Sequence, residues 1–182
     1  MKSSTIRLGQ LARVYSGGTP SREVPEYWGG DIPWIKTTQI QNCYIDKPAI
    51  DEWISEEGLK NSSAIMVPKG TVLMAMIGQG KTRGQVAVLN IDATTNQNAA
   101  AIVVNDDTNS IYVYQQLLFR YDAIRNISNS SGQQNLNLKL VRSIQLPEIC
   151  VKEQKAIATI LSTWDEAIET LESLISSKEQ RK

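Results

Sequence analysis

The sequence predicts an α+β fold: a globular domain on a twisted, mainly antiparallel sheet with short helices, followed by one long C-terminal helix able to form a coiled coil. Three observations predict it. Short β-forming runs, separated by turns rich in glycine and asparagine, fill the chain to about residue 108. Stretches with apolar residues at helical spacing follow. From Val151 onward neither glycine nor proline interrupts the chain. The length, 182 residues, suits one core with a little left over, and the chain divides into 1–148 and 149–182.

Taken in order, "IRLGQL" (6–11) and "IPWIK" (32–36) have the apolar clustering of short strands. In "SEEGLKNS" Ser55 precedes two glutamates, which suits a helical first turn with acids at the positive end of its dipole. "TVLMAMI" (71–77) and "QVAVLNI" (85–91) flank a glycine-rich loop and read as a hairpin; "NAAAIVV" (98–104) reads as another strand. "SIYVYQQLLFRYDAIRNI" (110–127) sets Ile111, Tyr114, Leu118, Tyr121 and Ile124 at helical spacing, with Ser110 as its cap. After the polar loop "SNSSGQQNLN", Ile157, Ile160, Leu161, Trp164, Ile168, Leu171, Leu174 and Ile175 recur every three or four residues. They define an amphipathic helix of about 30 residues, roughly 45 Å long. Glu166, Glu169 and Glu172 lie between them on the wet face. The stripe is wide and the helix long for one that only covers its own domain, so it is expected to pair with another helix.

Formal net charge is zero, but the charges are unevenly placed. Lys2, Arg7, Arg13 and Arg22 stand without an acid up to residue 22; acids dominate from Glu23 to Lys60; bases dominate from Arg120 to Arg142. Such a mosaic can present a basic face on a neutral protein. No apolar run reaches the roughly 18 residues of a membrane span. The opening "MKSSTIRLGQL" lacks the apolar segment of a signal peptide. Cys43 and Cys150 fit no ligand spacing or disulfide framework, so a reduced, cytoplasmic protein is expected.

Most chemistry is excluded on composition. "AMIGQGKTRG" (75–84) ends its apolar run in Gly-Lys-Thr, but a phosphate-binding loop needs glycine where Ala75 stands and a helix where "RGQVAVLNI" reads as a strand. With no histidine, serine–histidine and cysteine–histidine nucleophile activation is impossible within this chain, and the usual zinc sets are missing. Glu148, Glu153 and Lys155 are the nearest approach to a magnesium-dependent nuclease site, yet Glu153 and Lys155 are two apart on a helix and face different ways. Asn126 and Asn129 match the glycosylation pattern, which a cytoplasmic chain leaves unused. No metal site or cofactor is expected in this chain.

Five polar, glycine-punctuated loops remain: 16–22, 36–42, 78–84, 94–98 and 131–137. Glutamine and asparagine can read adenine edges, arginine and lysine can read guanine or grip phosphate, and threonine methyls can meet thymine. Each loop alone is ordinary turn chemistry. Together they point to recognition of a polar polymer. The competing classes are a stand-alone magnesium-dependent nuclease and a coiled-coil interaction module without DNA function.

The order of pieces "LGQLARVYSGGTPSR", "YWGGDIPWIKTTQI", "GLKNSSAIMVPKGTVLMAMIGQGKTRGQVAVLN", "TTNQNAAAIV" and "GQQNLNLKLVRSIQLPEICVKEQKAIATILSTWDEAI" resembles the specificity subunit of type I restriction-modification enzymes. The resemblance runs nearly end to end and implies a non-catalytic, DNA-recognising protein. It assigns residues 1–148 to target recognition and 149–182 to a spacer and dimerisation helix. It implies partner methyltransferase subunits that use S-adenosylmethionine to methylate adenine, and restriction motor subunits that use ATP and Mg. The Asn/Asp-Pro-Pro-aromatic motif of adenine methyltransferases is missing from this chain. A full specificity subunit resembles two copies of this chain, so one copy reads half of a bipartite target and a homodimer through the helices is the economical solution. The expected DNA-binding residues are Thr19, Arg22, Lys36, Thr37, Gln39, Gln79, Lys81, Arg83, Asn96, Gln97, Gln133 and Gln134. Asn96 and Gln97 have the alternative of hydrogen-bonding inside the domain.

Overall fold

Runs of valine, alanine, leucine and isoleucine without polar interruption make strands that bury both faces, and these form the centre of the molecule. The computed structural model describes residues 4–78, 80–130 and 135–179. The strands are β1 (Thr5–Arg7), β2 (Ala12–Ser16), β3 (Trp28–Ile35), β4 (Cys43–Ile45), β5 (Glu52–Ile54), β6 (Val72–Ala75), β7 (Val86–Leu89), β8 (Thr94–Thr95), β9 (Ala99–Val104) and β10 (Gln145–Pro147). The helices are α1 (Leu8–Leu11), α2 (Glu56–Lys60), α3 (Ser110–Phe119), α4 (Tyr121–Ser130), α5 (Leu138–Ser143) and α6 (Val151–Glu179).

A five-stranded sheet, in the order β2-β9-β6-β7-β4, forms the core. Its pairings are antiparallel except β4 with β7. A three-stranded sheet, β5-β3-β8, stands beside it, and β1 pairs with β10 where the chain returns towards its start. Alternation along β6 sends Val72 and Met74 to one face and Leu73 and Ala75 to the other. The first set packs under α3, through Tyr112, Val113 and Leu117; the second packs with Ile35, Ile40 and Ile45. The α+β prediction, the hairpin of β6 and β7 and the strand β9 all agree with this architecture.

Three local expectations need correction. "IRLGQL" is not one strand: only Thr5–Arg7 is extended, and Leu8–Leu11 turns into a single helical turn. The turn buries Leu8 and Leu11 together, and Gln10 Oε1 accepts from the Arg7 amide at 3.1 Å. The helix expected over 110–127 is two, broken at Arg120, whose Nη1 donates to the Gln116 carbonyl at 3.2 Å. Its cap is Asn109, not Ser110: the Asn109 side chain accepts from the Tyr112 amide at 2.8 Å. The Ser55 cap is as expected, accepting from the Gly58 amide at 3.0 Å.

The long helix α6 begins against the domain. Gln154 is buried, accepting from the Asn109 amide at 2.8 Å and donating to the Ile149 carbonyl at 3.1 Å. Ala158 is buried beside α3, and Asp165 accepts from Gln115 at 2.5 Å. Beyond Asp165 the described side chains of α6 are all exposed. No described helix is long and apolar enough to cross a membrane.

Candidate nucleic-acid interface

Strand direction gathers the polar loops. β2 and β6 leave the central sheet at the end where β9, β7 and β4 enter it: Ser16 pairs with Ala100, Ala75 with Ala99, Met74 with Val86 and Cys43 with Ala87. Loops 16–22, 36–42, 78–84 and 94–98 therefore emerge at one end. Backbone hydrogen bonds lace them together. The Gly18 amide donates to the Thr95 carbonyl at 2.9 Å, the Asn96 amide to Ile35 at 3.3 Å and the Met76 amide to Asn98 at 2.9 Å. The Leu136 amide donates to Met76 at 2.9 Å and brings the described end of the fifth loop to the same place.

Several expected DNA-binding side chains brace this frame. Thr19 Oγ1 donates to Gln97 Oε1 at 2.6 Å, and Trp34 Nε1 to the Gly18 carbonyl at 2.9 Å. Thr37 is buried and donates to Asn96 Oδ1 at 2.8 Å; the same oxygen accepts from the Asn98 amide at 3.0 Å. The alternative of internal bonding thus describes Asn96, and Gln97 joins Thr19. Gln39 accepts from the Lys36 amide at 2.9 Å and donates to the Ala49 carbonyl at 2.5 Å, closing its own 3-10 turn. Gln79, Gln133 and Gln134 lie outside the described residues.

Arg22 and Lys36 meet in a charged cluster. The Arg22 guanidinium lies 3.5 Å from the centre of the Trp28 ring, and Trp28 packs edge-on to Trp34 at 5.2 Å. Glu52 receives both cations, Arg22 at 2.5 Å and Lys36 at 3.1 Å, and Asp51 takes Lys36 at 3.2 Å. Burial alone would push the Glu52 carboxyl up, but its bonds to Arg22 and Lys36 outweigh that and hold it below the usual range. The Lys36 ammonium is held above its ordinary value, first by Glu52 and then by Asp51.

The hairpin tip explains what glycines, lysine and arginine do at the end of an apolar run. Gly80 and Gly84 take φ of 67° and 89°, left-handed values that let the chain reverse between β6 and β7. A strand, not a helix, follows, as the sequence predicts. Lys81 is exposed at the tip. The Tyr121 hydroxyl donates to the Lys81 carbonyl, and Arg125 Nη1 donates to the Arg83 carbonyl at 3.1 Å and to the Tyr121 hydroxyl at 2.9 Å. Sequence reasoning does not single out Glu52, Tyr121 or Arg125. The first is one acid among many in the segment 23–60, and the other two have the spacing of helix-face residues.

The helix stripe is the second surface. Ile157, Leu161, Trp164, Ile168, Leu171 and Ile175 have the alternating steps of four and three of a coiled-coil seam, with Ile160 and Leu174 widening it, but Ile157 itself packs partly against the domain core. Trp164 is 66% exposed, and Ile160, Leu161, Ile168, Leu171, Leu174 and Ile175 are exposed as well. Glu153, the nuclease-like carboxylate of the sequence, accepts from the Cys150 amide at 3.2 Å and serves the start of α6. Among the described residues no three histidine, cysteine or acidic side chains are grouped to hold a metal ion.

Braced polar loops thus gather at one end of the central sheet, and a helix with an exposed apolar stripe follows the domain. The chain belongs to the family of type I restriction modification DNA specificity domains, whose model matches residues 2–177. It is 33% identical over 168 residues to the type I restriction enzyme MjaIX specificity subunit of Methanocaldococcus jannaschii, across 90% of this chain and 38% of that protein. Its fold matches that of the type I restriction-modification S subunit from M. genitalium, with a TM-score of 0.71 at 19% identity over 97% of this chain and 42% of that one. It matches the HsdS subunit from Thermoanaerobacter tengcongensis with a TM-score of 0.69 at 16% identity, over 93% and 38%. The chain spans less than half the length of these relatives.

Proposed function

We propose that this chain recognises one half of a bipartite DNA target through the loops at one end of its central sheet. On this reading residues 1–148 are the target-recognition unit and 149–182 the spacer and dimerisation helix. Methyltransferase subunits and, through them, restriction motor subunits act where the chain directs them; S-adenosylmethionine, ATP and Mg belong to those partners. The observation that carries the reading is the gathering of four polar loops and the described end of a fifth, separated by up to about a hundred residues of chain, into one hydrogen-bonded end. Arg22, Lys36, Lys81 and Arg83 supply phosphate or guanine contacts, while Thr19 and Gln97 supply polar contacts near bases.

The helix stripe supports pairing with a second copy. Running antiparallel about Glu166, the exposed part of the seam is self-complementary: Leu161 meets Leu171 and Trp164 meets Ile168. Such symmetry requires a split, palindromic target.

Reversing charge at the hairpin tip tests the DNA reading. K81E combined with R83E is expected to weaken binding to duplex DNA and to flatten the log–log salt dependence by about 0.9 for each phosphate released from the protein. Fluorescence anisotropy across a salt series measures both. An affinity equal to wild type at every salt concentration removes this loop from the interface.

A further inference from the structure

We propose that Glu52 is a specificity-determining residue, which restrains Arg22 and Lys36 from gripping the phosphates of DNA that the loops do not fit. The proposal rests on the DNA reading above. Three observations carry it. Two cations from separate loops converge on one carboxylate, at 2.5 and 3.1 Å. With Asp51 added, the quartet of Arg22, Lys36, Asp51 and Glu52 carries two positive and two negative charges and sums to zero, so this part of the surface offers passing phosphates no net attraction. The side chain of Glu52 is the least exposed of the three, at 25% against 54% for Arg22 and 32% for Lys36.

The Arg22 guanidinium is also stacked on Trp28, which keeps it on this face whether or not the carboxylate holds it. Exchange of Glu52 for phosphate therefore changes the partner of each cation without unfolding the loop. Phosphate must outcompete two short ion pairs, and it does so only when the other loops hold it in place. Glu52 thus lowers affinity for all DNA and lowers it most where the fit is poor.

The test uses a mixed-sequence duplex, on which fit is poor, and measures anisotropy over a salt series. E52Q keeps the side chain's volume and one acceptor while removing its charge. It is expected to tighten binding about tenfold at low salt and to steepen the salt dependence by about 0.9 to 1.8, equivalent to one or two further phosphates held. In R22A/K36A/E52Q that tightening should vanish. D51N, on an exposed side chain that holds Lys36 alone, should tighten binding by a smaller factor and carries the test if E52Q does not fold.

An E52Q protein that binds no more tightly than wild type overturns the proposal; so does tighter binding that survives removal of both cations, or a folded D51N that binds as wild type does should E52Q not fold. If K81E/R83E weakens binding while E52Q leaves it unchanged, only the role of Glu52 falls. If neither wild type nor any variant binds the duplex, the DNA reading falls and this inference with it.

Discussion

Replacing Trp164 or Leu171 by glutamate is expected to abolish the helix pairing proposed above and leave a monomer. Both side chains sit in the seam of α6, and Trp164 is 66% and Leu171 59% exposed in the single chain. Pairing would bury each of them, and burying a large apolar side chain is worth about 1.5–3 kcal/mol. Two-fold symmetry places every substitution in the interface twice, so a single change removes roughly 3–6 kcal/mol before the cost of desolvating two carboxylates. That corresponds to a loss of at least about a hundredfold in dimer affinity. The domain itself should be undisturbed, because neither residue packs against it. Sedimentation velocity reads the outcome, with the melting of the monomer as control. A monomeric wild type, or a glutamate variant that still dimerises, contradicts the pairing.

Gly17→Ala is expected to give the largest loss of stability inside the globular part of the chain. A Cβ at this position would lie 1.8 Å from the Thr95 carbonyl oxygen and 2.6 Å from its carbon. Both are backbone atoms, so no side chain can swing aside. The two loops must separate, and the Gly18–Thr95, Thr19–Gln97 and Trp34–Gly18 hydrogen bonds go with them. Overpacking costs about 1–3 kcal/mol where a core yields, and this site sits at the upper end. A loss of about 3 kcal/mol lowers Tm by roughly 6–12 °C in a domain of this size. DNA affinity should fall with it, because two of the five loops lose their mutual register. Unchanged melting and binding would show that loops 16–22 and 94–98 do not rely on this close approach.

Local patterns foretell much of this molecule. The apolar runs of β6, β7 and β9 and the uninterrupted stripe of α6 are statements about neighbouring residues, and helical or extended spacing makes them visible. The break at Arg120 leaves no such mark, since apolar spacing continues through it from Leu118 to Tyr121 and Ile124; Arg120 bonds back to Gln116, while Tyr121 and Arg125 bond to the distant hairpin tip. The loops are recognisable one by one, but their common end follows from strand order, which depends on pairing between distant segments. For the same reason Arg22, Lys36 and Glu52 look like separate charges in the sequence. Thr37, Gln39 and Asn96 have the chemistry of base readers and spend it on one another and on backbone, a distinction that only positions in space reveal.

Selection from a random duplex library with the purified chain tests the central claim most directly. Enrichment of one short motif that occurs twice, inverted and separated by a fixed spacer, is the expected result, together with its disappearance in K81E/R83E. A pool that remains random after repeated rounds, although the chain binds DNA and is folded, would contradict sequence recognition by these loops.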